Sequence, residues 1–167
     1  MIEFVRAEEI DRVLIESSEI TEHLMQESIF LRKNRPANNE RIVLMWGDVK
    51  KKVFRISCCT PQRALENHGI IKSVSAPLEY GFDIQPEKLI SHNIFPTKTA
   101  SVALFAHRHP FFQTMPSLQD LHTTRRFGVG LIWCDPFDFF DCPLDDNAIL
   151  FTAYDFSRKD ISVEYDF

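Results

Sequence analysis

From Arg41 onward the sequence is a series of short apolar runs: RIVLMW, KVFRISC, IKSVSAP, FGVGLIWC, AILFTAY and ISVEYDF. Runs of this length, rich in Val, Ile and aromatic residues and bounded by turn-forming residues, read as strands. Helices are predicted between them over 61–68 and 85–93, with a third from Ala100 to Ala106. The mixing is irregular, unlike the alternation of a parallel βαβ sheet, so the class is α+β. Ahead of these runs, 8–32 carries Ile10, Val13, Leu14, Ile20, Leu24, Met25 and Leu31 near helical spacing, broken at Ser17-Ser18. NRPANNE (34–40) reads as a hinge. The expected organisation is a helical segment over 1–40 and a larger unit over 41–167.

A chain of 167 residues with 44% hydrophobic and 26% charged residues is long and apolar enough to build its own core. The net charge of −5 gives no broad basic surface, which argues against electrostatic nucleic-acid binding without excluding it. No apolar stretch is long enough to span a bilayer, and MIEFVRAEEIDR has acids where a signal peptide needs bases. No membrane partner is expected, and the setting is cytoplasmic. The four cysteines read as reduced thiols; Cys58 and Cys59 are strand neighbours and point to opposite faces. No P-loop or GxGxxG turn is present, and no CxxC or HExxH spacing supports zinc. AHRHPFF (106–112) holds His107 and His109 without a third ligand at metal spacing, and His-Pro reads as a turn after a helix. No metal is expected.

The stretch KVFRISCCTPQRALENHGI (52–70) poses a sharper question. Arg55 lies between Phe54 and Ile56, a permanent charge inside a run that otherwise wants burial. A strand ending in Phe54-Arg55, then Pro61, an amphipathic Ala64-Leu65 and Gly69-Ile70, resembles the first motif of the cholera- and pertussis-type ADP-ribosylating toxins. IFPTKTASVALF, with Phe95 and Thr97-Lys98-Thr99, resembles the second motif, and His92 precedes it as a His does in the toxins. ISVEYDF places Glu164 where the third motif has its Glu, with Ser162 at the position that orients the acceptor.

That resemblance implies a split two-sheet ADP-ribosyltransferase core with an N-terminal helical extension, and a mono-ADP-ribosyltransferase acting as a toxin or effector. NAD would be the substrate. Arg55 would bind its phosphates, as a guanidinium fork suits phosphate. Thr97, Thr99, His92 and Phe95 would line or order the nicotinamide-ribose pocket. Glu164, the only glutamate after Glu87, would stabilise the charge developing on the ribose. The implied partners are a macromolecular target, foremost a protein, with nucleic acid not excluded, and an immunity protein or chaperone. Such a chain is cytoplasmic or injected into a target cell without a classical signal peptide. The alternative is a non-enzymatic acidic binding module, such as a toxin-immunity protein.

Overall fold

The computed structural model describes residues 3–34, 41–69, 102–109, 113–135, 149–157 and 161–167. Their strands are β1 (Glu3–Phe4), β2 (Arg12–Ile15), β3 (Ile42–Lys50), β4 (Val53–Pro61), β5 (Val102–Arg108), β6 (Gly130–Cys134), β7 (Leu150–Tyr154) and β8 (Ser162–Tyr165). The helices are α1 (Ser18–Asn34), α2 (Gln62–Asn67) and α3 (Leu118–Phe127), with a 3-10 turn at Ala7–Glu9. All eight strands belong to one mixed sheet of order β7-β6-β5-β3-β4-β2-β8, with β1 paired to β5. The α+β class stands. The split two-sheet core does not, because the described strands form a single curved sheet. Its two ends approach each other: Ala153 of β7 bridges Ile161, and the Tyr165 hydroxyl donates to the Ile149 carbonyl at 2.7 Å.

The N-terminal segment departs most from its expected form. Arg12–Ile15 is a strand, wedged in parallel between β4 and β8. Val13, Leu14 and Ile15 are all buried while Arg12 stays exposed, so no alternation marks this strand and the helical spacing with Ile10 stands out instead. The helix begins only after Ser17, whose Oγ accepts the Glu19 N–H at 3.2 Å. It packs Ile20, Leu24 and Met25 against Val43, Met45, Phe54, Ile56, Leu104, Ala106 and Trp133. β1 and β2 thus share a sheet with strands from beyond residue 41.

The predicted helix over Ala100–Ala106 is instead β5. It lies between β3 and β6, and residues 104–109 are buried without alternation. A strand covered on both faces loses its period-two signature and is easily read as a helix. The helix over 61–68 appears as α2, while the IKSVSAP strand and the helix over 85–93 fall outside the described residues.

Two local features test the hairpin between β3 and β4. Lys51 and Lys52 both have positive φ, at 52° and 62°, in its two-residue turn. That geometry favours Asn-Gly, and lysine is strained there. Replacing Lys51-Lys52 with Asn-Gly should therefore raise unfolding free energy by about 1–2 kcal/mol. No gain in a urea titration would contradict this. At the bulge after Trp46, a Cβ on Gly47 would lie 1.7 Å from the Arg55 carbonyl oxygen. Gly47→Ala must push the β3 and β4 backbones apart, and should lower the urea midpoint clearly.

Candidate metal centre

The opening puzzle of Arg55 resolves at the sheet surface. Leu14 of β2 is in register with Arg55 on one side and Glu164 on the other. Register partners share a face, so the two charged side chains flank Leu14 about 10 Å apart, two strand spacings. Each already has a partner. Arg55 reaches Glu16 at 2.8 Å, and Arg12 reaches Glu164 at 2.8 Å, all four side chains being 34–48% exposed. Arg55 is thus neutralised on an open face rather than presented to a phosphate in a cleft. Arg55→Ala should cost under about 1 kcal/mol, the range for exposed pairs, in a thermal or urea titration. Ser162 lies exposed in β8, opposite Arg12. His92, Phe95, Thr97 and Thr99 lie outside the described residues.

The chemistry gathers elsewhere. His107 and His109 stand two residues apart on and just after β5, so both point to the face that α3 covers. Ser117 caps α3. Its Oγ accepts the Asp120 N–H at 3.1 Å, and the Asp120 carboxylate accepts the Ser117 N–H at 2.8 Å. This reciprocal cap aims Asp120 at the two imidazoles. Nε2 of His107 lies 2.8 Å from Nε2 of His109 and 3.3 Å from Oδ1 of Asp120, and Nε2 of His109 lies 3.2 Å from Oδ2. All three residues are buried, His107 completely.

The surroundings set the protonation states. His109 Nδ1 donates to the Gln113 carbonyl at 2.9 Å, which orients the ring with Nε2 facing Asp120 and His107. Burial pushes the Asp120 carboxyl up, but hydrogen bonds from His107 and His109, the His107 charge and the Ser117 N–H together hold it well below the usual carboxylate range. A depressed folded pKa adds stability above the unfolded value and loses it as pH falls through the folded one. Metal-free wild type and Asp120→Asn should accordingly converge in stability in strong acid, as acid-denaturation curves would show.

The two imidazole Nε2 atoms lie 2.8 Å apart and each is 3.2–3.3 Å from one oxygen of the buried Asp120 carboxylate, a cluster that matches a metal tripod. Ligands about 2.0–2.1 Å from a tetrahedral zinc lie about 3.3 Å from one another. The donor set fits zinc as well: two imidazoles and one carboxylate, with the Gln113 carbonyl engaging His109 Nδ1 so that Nε2 is the nitrogen turned to the metal position. His107 Nδ1 is buried and has no partner among the described residues. The expectation of no metal is therefore corrected. The His-x-His spacing was visible in the sequence, but with β5 read as a helix the two imidazoles seemed to mark a turn. The third ligand had its own signal in Ser117-x-x-Asp120, a capping box that starts a helix with a carboxylate facing back. Cys58 and Cys59 offer no rival nucleophile. Burial raises the Cys58 thiol despite its contact with Ser57, and burial with neighbouring Cys58 and acidic groups pushes Cys59 up to about 12.

No protein-family model matches the chain, and no curated protein does. Among solved structures, a JAB1/MPN domain protein from Archaeoglobus fulgidus is similar, with a TM-score of 0.46 and 18% identity over 92% of this chain and 97% of that one. With one sheet in place of two, ion-paired surface charges in place of an NAD cleft and a His-His-Asp centre on the α3 face, the NAD-dependent ADP-ribosyltransferase reading is corrected, and toxin or effector activity goes with it. The acidic binding module gains no support either. No described helix is long and apolar enough to cross a membrane.

Proposed function

We propose that this chain is a mononuclear zinc hydrolase that cleaves an amide bond in a polypeptide. The reading rests on the buried convergence of His107 and His109 Nε2, 2.8 Å apart, on the two oxygens of the Asp120 carboxylate, at 3.3 and 3.2 Å. Two histidines and a carboxylate, with a fourth position left for water, form the donor pattern of mononuclear zinc peptidases. Bound there, zinc would act as a Lewis acid and activate water for attack at neutral pH. The chain's own residues hold the geometry: Ser117 fixes the Asp120 carboxylate, and the Gln113 carbonyl fixes the His109 ring. The rim favours a polypeptide over a charged small molecule. Leu118, the first residue of α3, and Met115, just before it, are 78% and 69% exposed on the segment that carries Asp120, and Gln113 and Ser117 on that segment are uncharged. The macromolecular target is in this reading a protein.

The test is direct. Metal-free protein should bind one equivalent of zinc in a calorimetric titration. It should then hydrolyse members of a peptide library, lose that activity to a chelator and regain it with zinc. Failure to bind zinc stoichiometrically would remove the reading.

A further inference from the structure

Arg108 separates the two histidine ligands in sequence, and its side chain leaves the opposite face of β5. There it is 2% exposed and bidentate on Asp135, with Nε–Oδ2 2.9 Å and Nη2–Oδ1 3.0 Å. Asp135 follows β6 and is completely buried. Its carboxylate also accepts the Ser28 hydroxyl, and the Trp133 indole N–H donates to Ser28 Oγ at 3.4 Å. Ser28 belongs to α1. The preceding residue, Glu27, accepts from Arg41 Nε at 2.6 Å in a buried pair. The Arg41 carbonyl in turn accepts the Arg108 N–H at 2.9 Å, while the Trp133 carbonyl accepts the His109 N–H at 3.1 Å. Two consecutive residues of α1 therefore grip the His-x-His segment by separate routes, one through the Arg108 side chain and one through its backbone.

We infer that α1 sets the spacing of the metal ligands from the reverse face of the sheet, with Arg108 as a positioning residue locked by Asp135 and Ser28; this rests on the metal-binding reading above. Core packing alone would need neither a buried charge between the ligands nor two polar links from one helix to the same three residues. A rotation of the Arg108 backbone swings His107 and His109 on the far side, because alternate residues of a strand turn together. Movement of α1 would thereby be felt at the metal.

The test uses the full chain, freed of metal and titrated with cobalt(II), whose visible bands report coordination geometry. Ser28→Ala removes the hydroxyl from the network, and Arg108→Lys keeps the charge but loses the fork. Both should weaken cobalt binding about 10–100-fold, the effect of an outer-shell partner, and alter the bands while circular dichroism stays that of the wild type. Thr60→Val, which deletes the buried Trp46–Thr60 hydrogen bond elsewhere in the sheet, should change neither. Wild-type affinity and bands in folded Ser28→Ala and Arg108→Lys would overturn the inference and leave the metal site standing. So would an equal change in Thr60→Val. A wild type that gives no cobalt bands would overturn the metal reading and this inference together.

Discussion

Asp120→Asn is expected to weaken zinc binding by more than about 100-fold, beyond the 10–100-fold typical of an outer-shell partner, because it removes a charged ligand and not its support. The substitution conserves volume, and the asparagine carbonyl can still accept the Ser117 N–H, so α3 should keep its cap. His109→Ala removes a neutral ligand and should act in the same direction. A thermal shift separates ligand loss from misfolding. Zinc at about 100 times its Kd should stabilise the wild type by about 2.7 kcal/mol, and this increment should vanish in both variants. Hydrolysis should disappear with it. An Asp120→Asn protein that keeps wild-type zinc affinity would mean the tripod is not the binding site. Arg55→Ala and Glu164→Gln, in strands beyond β3 from the ligands and already ion-paired with Glu16 and Arg12, should leave zinc affinity unchanged.

Arg108→Met is expected to destabilise the fold by about 3–5 kcal/mol, since it leaves the fully buried Asp135 carboxylate without its guanidinium. For a domain of this size that lowers the melting temperature by roughly 6–20 °C. Changing both partners, Arg108→Met with Asp135→Leu, removes both charges and should recover most of the loss. The single and double variants form a cycle with Asp135→Leu. Independent, additive effects in that cycle would show that the pair is not coupled and that its buried geometry carries little energy.

The sequence was a good guide where one face of an element is wet. β7 and β8 emerged at AILFTAY and ISVEYDF, and α2 ran from its Pro61 start towards Gly69. It read β3 and β6 as strands although both faces are dry, but it misled at β5, equally dry, and at the short β2. β5 has apolar residues at every position from 104 to 106, so periodicity could not tell strand from helix, and the identity of His107 and His109 depended on that choice. β2 spans four residues, too few for alternation to outweigh the helical spacing that Val13 and Leu14 make with Ile10. Arg55 shows the opposite error. A charge within an apolar run suggested a receptor for phosphate, but it marks only the outward position of a half-exposed strand, with Glu16 brought to it from the end of β2. The Asp120 ligand is distant because a metal site is assembled in space: its link to His109 passes through a loop whose direction no local pattern encodes.

The placement of β2 also dictates an order of assembly. Its partners are β4, about forty residues away, and β8, about a hundred and fifty away. While the chain is being synthesised, the β2 edge that Ser162–Tyr165 will cover stays bare until those residues have left the ribosome. Val13 and Ile15 then have only part of their final surroundings. Long-range parallel pairing of this kind closes slowly, and an uncovered strand edge invites pairing with other chains. Nascent chains halted before residue 162 should accordingly aggregate or recruit chaperones, and chains extended past β8 should do so less.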